Sequence, residues 1–440
     1  MRLTLAQRLQ KRMVHLPNPF LYSLLYYFVV KPIAAKLHTH FIYKAKPSEE
    51  KGSFVLVSNH ATRMDYAFTA PAVFPKRLNY VVGYNEFFVF PTVLLLKWLQ
   101  VIPKRNFVPD PYTITSIRRI VNKGGNICFM PNGMSSITGL QQPVMPGTGK
   151  LLRMLRLPVY YTKINGGYLS NTKHCLDQRP GRVDVVVDKM FSPEQLASMK
   201  PQEIEDQMNR LLAQDDYLWN EKEQVHYKNR NNLAYGLDTL LYQCPKCGKV
   251  ADWTTEGNTM TCNACGNKIE MDDTYAIHPV GPDSVCPPKV SDWVIMQREK
   301  AMEDVKDPDF CFSEHVRLGI LPDYRYVPVT RSSDIAGDGI MTLKPDGLHF
   351  DGTLKDKPFS FFIPIEKMPT FGMVTDITHL ATYIDDVFYE FYPDSRDALR
   401  WDFLLEEMHR HQGGVWQASP YRHTDENLKT TFYPDAQSTN

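Results

Sequence analysis

Two groups of residues in this 440-residue chain have types and spacing suited to chemistry. The first is Val57-Ser-Asn-His-Ala-Thr-Arg-Met-Asp65. On one continuous helix the five-residue step from His60 to Asp65 would turn about 140°, so the two side chains would not share a face. They meet if His60 sits in a loop and Asp65 in the first turn of the following helix, where the helix dipole also favours a carboxylate. An Asp behind a His fixes the imidazole tautomer and supports the cation formed when the ring takes a proton. That is general-base chemistry, able to activate a hydroxyl for attack on a thioester.

The second group is Cys244-Pro-Lys-Cys247-Gly248 and Cys262-Asn-Ala-Cys265-Gly266. Two knuckles, each closed by Gly, place four thiolates for a tetrahedral site suited to zinc or to a rubredoxin-like iron. All four positions are Cys, with no open place for water, so the expected role is structural. The module resembles a zinc ribbon. The other four cysteines are scattered, which is not a disulfide framework.

The elements that must position these residues follow from apolar patterning. Strands are expected at 52–58, 78–82, 126–130, 158–161 and 183–187, with helices near 64–73, 88–99 and 112–122. Strands alternating with helices imply an α/β domain, a mixed sheet flanked by helices, over 41–195. Residues 1–40 are expected to be membrane-interacting helices and 196–242 a helical connector, followed by the zinc ribbon at 243–270. A β-rich domain over 315–415 ends in an amphipathic helix from Arg396 to His409, and its last two strands form a hairpin around Asp385-Asp386. A bent sheet capped by a helix bearing Trp401 resembles a pleckstrin-homology-like (PH-like) domain. The chain is thus expected to be multidomain, with a polar tail.

The net charge of +1 hides an asymmetry, because residues 1–160 carry +16 and the remainder −15. A basic front half suits a surface bearing phosphates, although a solvated basic face explains it equally well. The run from Pro19 to Val30 is too short to span a bilayer before Lys31-Pro32 interrupts it. Its aromatics and flanking bases favour an interfacial helix. Neither a cleavable secretory signal nor a disulfide framework is expected, so the protein should face the cytoplasm, peripheral at the inner face of the membrane. Pro146-Gly-Thr-Gly-Lys150 is not a P-loop, since Val144 and Leu151 stand where Gly and Ser/Thr are needed.

Four stretches in order carry a resemblance over roughly residues 20–195. They are Asn59-His60-x4-Asp65, Val101-Ile-Pro-Lys-Arg105, Phe129-Met-Pro-Asn-Gly-Met-Ser-Ser136 and Leu157-Pro158-Val159. They resemble the four motifs of the glycerolipid acyltransferases related to lysophosphatidate (1-acylglycerol-3-phosphate) acyltransferase. The resemblance implies His60 and Asp65 as catalytic. It further implies Asn59, Lys104, Arg105, Pro131, Asn132 and Gly133 as substrate-binding, with Arg105 the phosphate contact. Acyl-CoA or acyl carrier protein would be the donor. The third motif departs from the family's Phe-Pro-Glu-Gly-Thr-Arg-Ser, because Asn132, Met134 and Ser135 replace Glu, Thr and Arg.

Acyl transfer is therefore expected, with a lysolipid or glycolipid hydroxyl as acceptor rather than the family's usual one. The rival expectation is a non-catalytic lipid-surface adaptor built on the same fold. The expected partners are a membrane lipid surface and the acyl donor, including acyl carrier protein. No nucleic acid is expected, because the basic charge lies outside the cysteine module.

Overall fold

The computed structural model describes residues 2–373 and 376–414, so the expected polar tail lies outside the described residues. Its first unit is a seven-stranded sheet in the order Thr39–Tyr43, Val183–Phe191, Val159–Asn165, Val55–Ser58, Asn126–Phe129, Leu78–Gly83, Ile102–Lys104. All neighbours are parallel except Val159–Asn165 and Val183–Phe191, so the sheet is mixed, as expected. Successive side chains of a strand point to opposite faces. Val55, Val57, Ile127 and Phe129 enter one core, while Phe54, Leu56 and Cys128 enter the other. Burial on both faces explains why these segments read as continuous apolar runs.

The edge strand Thr39–Tyr43 was not expected. Its side chains are half-buried or exposed, so it lacks the apolar signature. Two helical expectations are also corrected. Lys31-Pro32 does not end the N-terminal helix. The chain runs from Pro19–Leu25 through a π-helical turn at Tyr26–Val30 into Lys31–Lys36, and the Lys31 N–H bonds the Tyr26 carbonyl. The wider turn accommodates a proline that lacks an N–H. Residues 88–99 are not one helix. A 3₁₀ turn at Tyr84–Phe88 leads to the short strand Val89–Phe90, and a helix occupies only Thr92–Trp98.

The C-terminal unit is a seven-stranded antiparallel sheet in the order Lys357–Pro364, Gly347–Leu354, Asp334–Lys344, Phe312–Ile320, Val387–Pro393, Leu380–Ile384, Gly372–Met373. A four-strand meander and a three-strand meander are joined by pairing of their first and last strands. The hairpin at Asp385-Asp386 forms with both residues at positive φ, the geometry of a two-residue turn. Helix Ala398–His411 closes the sheet, and Trp401 Nε1 donates to Glu314 Oε2 at 2.8 Å.

The cysteine module forms a four-stranded sheet, Ile277–Pro279, Lys268–Met271, Thr259–Cys262, Trp253–Glu256. Met260 and Ile269 of this sheet share one hydrophobic core with Trp293, Leu318, Phe350 and Trp401. Trp293 lies on helix Val290–Asp304, which packs against Ala398–His411. The module is therefore fused to the C-terminal unit. Strand Val89–Phe90 pairs in parallel with Val327–Pro328, which joins the two halves of the chain.

Candidate active site

His60 follows the central strand Val55–Ser58 at its carboxyl end, where open α/β sheets place their ligands. The loop after it turns into helix Tyr66–Val73, with Asp65 as the residue before its first turn. His60 Nδ1 lies 2.7 Å from Asp65 Oδ2, and the Thr62 N–H donates to Asp65 Oδ1 at 3.0 Å. Asp65 is 1% exposed. Burial raises its carboxyl pKa, and the His60 hydrogen bond opposes that rise. The Ser136 N–H binds the His60 carbonyl at 2.6 Å, so the third-motif loop holds the His60 backbone directly. The pair can deprotonate a hydroxyl presented to the outer ring nitrogen.

His60 and Asp65 line a cavity of about 1900 Å³. That exceeds the ~300–1,000 Å³ of ordinary small-molecule sites and suits lipid-sized substrates. One wall is apolar and comes from Tyr22, Tyr26 and Val29 of the N-terminal helices and from Leu95 and Leu99. The same helices expose Phe20, Phe28 and Trp98, at 78%, 75% and 56%. A further part of the lining comes from the C-terminal unit, through Gly372, His379 and Tyr392.

The residues suggested by the motifs do not all reach this cavity. Lys104, Pro131 and Gly133 line it. Lys104 is largely buried, and burial lowers its pKa. Asn59 is fully buried, with its amide bonded to the Ile164 backbone at 2.7 and 2.8 Å and to Gln214 Oε1 at 2.8 Å. It ties the end of the central strand to its neighbour, so a role in touching substrate does not fit its placement. Asn132 is also buried, and its amide nitrogen donates to the Gln142 carbonyl. It borders a small separate void that His60 also touches. Arg105 is ion-paired with Asp386 at the tip of the C-terminal hairpin and also donates to the Pro109 carbonyl. Pro158 immediately precedes strand Val159–Asn165 at the end of the sheet remote from His60, and its carbonyl pairs with the Val55 N–H.

Sequence reasoning did not single out Arg63 or Lys173, both of which line the cavity. Arg63 was visible inside the first motif, whereas nothing in the pattern around Lys173 marked it.

The four cysteine sulfurs lie within 4.8 Å of one another, with Cys244–Cys265 at 3.7 Å and Cys247–Cys262 at 3.8 Å. Tetrahedral zinc with Zn–S bonds of about 2.3 Å requires S···S near ~3.8 Å, so the donor set fits a metal. Gly248 and Gly266 take positive φ, and each N–H closes its knuckle onto the carbonyl of Cys244 or Cys262 at 2.9 Å.

The Acyltransferase family profile matches residues 40–162, the segment that carries most of the sheet's strands and the His60–Asp65 pair. Over this segment the chain is similar to acyltransferase domains. Among solved structures, it is similar to the 1-acyl-sn-glycerophosphate (LPA) acyltransferase PlsC from Thermotoga maritima. Identity is 17% and the TM-score 0.34, covering 43% of this chain and 80% of that one. No curated protein sequence matches.

Proposed function

We propose that this chain is a peripheral membrane O-acyltransferase of phospholipid or related lipid biosynthesis. It moves a fatty acyl group from acyl-CoA or acyl carrier protein to a lysolipid or glycolipid hydroxyl. The observation that carries this reading is the 2.7 Å His60–Asp65 pair opening on the cavity, within the segment matching the acyltransferase profile. His60 takes the acceptor hydroxyl proton as the oxygen attacks the thioester carbonyl carbon. The C–S bond then breaks, and the proton passes from His60 to the leaving thiolate. Lys104, Pro131 and Gly133 shape the acceptor side. Among the described residues, no helix is long and apolar enough to cross a membrane. The exposed Phe20, Phe28 and Trp98 beside the apolar wall suit docking on the cytoplasmic leaflet, with lipid entering between the helices.

The four cysteines hold a structural zinc, and the module spaces the two larger units. The C-terminal sheet and helix act as a PH-like scaffold that walls the cavity. The test is thiol release from an acyl thioester in the presence of vesicles containing candidate acceptors. His60→Ala should abolish turnover.

A second reading, a non-catalytic lipid-surface adaptor, draws on the burial of Asn132 and the capture of Arg105 by Asp386. It would be favoured if the wild-type chain turned over no thioester with a broad panel of hydroxyl acceptors.

A further inference from the structure

The ion pair between Arg105 and Asp386 removes the family's usual phosphate contact from the cavity wall, and Ser135 stands where the third motif would supply a second Arg. Two other cations face the same space. Arg63 lies three residues after His60, is exposed to the cavity, and makes no hydrogen bond or ion pair with the described residues. Lys173 is 6% exposed, and its ammonium makes one hydrogen bond, to the Met373 carbonyl at 3.2 Å. Among the described residues, two of its three N–H groups thus have no acceptor.

A buried ammonium with unused donors is costly unless something accepts from it. The two cations are close enough to disfavour each other. The Lys173 pKa is lowered to about 8, first by burial and then by Arg63. Asp402, Asp376 and Glu86 act electrostatically on Lys173, and Glu86 and Asp376 also on Arg63, yet none of the three comes within ion-pair distance of either cation. The hydroxyl cluster of the C-terminal wall is different. Ser332, Ser333 and Tyr392 all donate to Glu390 Oε2 and are satisfied within the protein.

We propose that Arg63 and Lys173 form the clamp for a phosphate ester of a substrate, replacing the contact that Arg105 makes in the related motif. A phosphate would accept from the planar Arg63 guanidinium and from the unused Lys173 hydrogens, and would relieve their mutual repulsion. This deepens the acyltransferase reading by naming the group that the site recognises. The same chemistry is found on a phosphate-bearing lysolipid acceptor and on coenzyme A, and the experiment separates the two.

The test is calorimetric binding to the full chain, which needs no turnover and so stands apart from the His60 assay. Three probes are used: short-chain lysophosphatidate below its micelle concentration, the matched neutral monoacylglycerol, and coenzyme A. Losing a charge-assisted contact should weaken binding by about tenfold or more. Arg63→Gln and Lys173→Met should therefore weaken lysophosphatidate by that factor and leave monoacylglycerol unchanged, while Arg63→Lys keeps most of the affinity. If coenzyme A is weakened instead, the clamp holds the donor's phosphate. The proposal is overturned if neither phosphate ligand binds, if neither is weakened, or if monoacylglycerol is weakened equally. Arg63 is exposed, so Arg63→Gln carries the test even if Lys173→Met folds poorly.

Discussion

Replacing Asp65 by Asn probes the catalytic pair with little change in shape. The Thr62 N–H donates to one side-chain oxygen at 3.0 Å, so the Asn carbonyl stays there and its NH₂ turns toward His60 Nδ1. That nitrogen must then be unprotonated, which places the ring proton on Nε2, the atom that has to accept the substrate proton. The substitution also removes a carboxylate about 4 Å from the centre of the developing imidazolium charge. With an effective dielectric of about 20, that attraction is worth roughly 4 kcal/mol, or about 10³ in rate. We expect kcat to fall about 10³-fold to 10⁴-fold, with acceptor KM changed less than about threefold. Thiol release from the thioester, followed in a thiol-reactive dye assay with vesicle-borne acceptor, measures both parameters. A loss of less than tenfold in a folded variant would refute the assignment of Asp65 as the residue that orients and supports His60.

The fused cysteine module predicts about one zinc per chain by metal analysis, and Cys244→Ala should lose the metal and lower the Tm of the whole C-terminal half. Phe28→Asp or Trp98→Asp should each weaken binding to anionic vesicles about tenfold or more in co-sedimentation, from loss of apolar burial in the interface. Asp216 is buried, accepts from the Tyr168 N–H at 2.7 Å, and has its pKa raised to about 7, chiefly by burial. The folded state therefore keeps a proton that the unfolded chain, with a pKa near ~3.9, has already lost. Its stabilising contribution is full below about pH 4 and falls as pH rises to about 7, by at most about 4 kcal/mol. Denaturant melts of Asp216→Asn should show that slope flattened, and an unchanged slope would sink the argument.

Much of the catalytic sheet was legible because its strands are buried on both faces and so announce themselves as apolar runs. Thr39–Tyr43 was hidden for the opposite reason, since an edge strand with His40 and Tyr43 exposed has no such run. His60 and Asp65 were readable from spacing, because their meeting depends only on a local loop. The burial of Asn59 and Asn132 was not legible because a buried amide and a substrate-facing amide have the same one-letter signature. Their partners, Ile164, Gln214 and Gln142, are set by tertiary packing. The partner of Arg105 was not legible because Asp386 lies 281 positions away in sequence. Lys173 gains meaning only when the C-terminal sheet closes over it.

That closure sets an order of events during synthesis. His60 leaves the ribosome well before the wall containing His379 and Tyr392 does. At usual translation speeds the interval is roughly 20 to 70 s. During that time the nascent chain carries its acid–base pair and its basic, aromatic front without a finished chamber. The cavity gains its C-terminal wall only after the hairpin around Asp386 has been made and can reach Arg105.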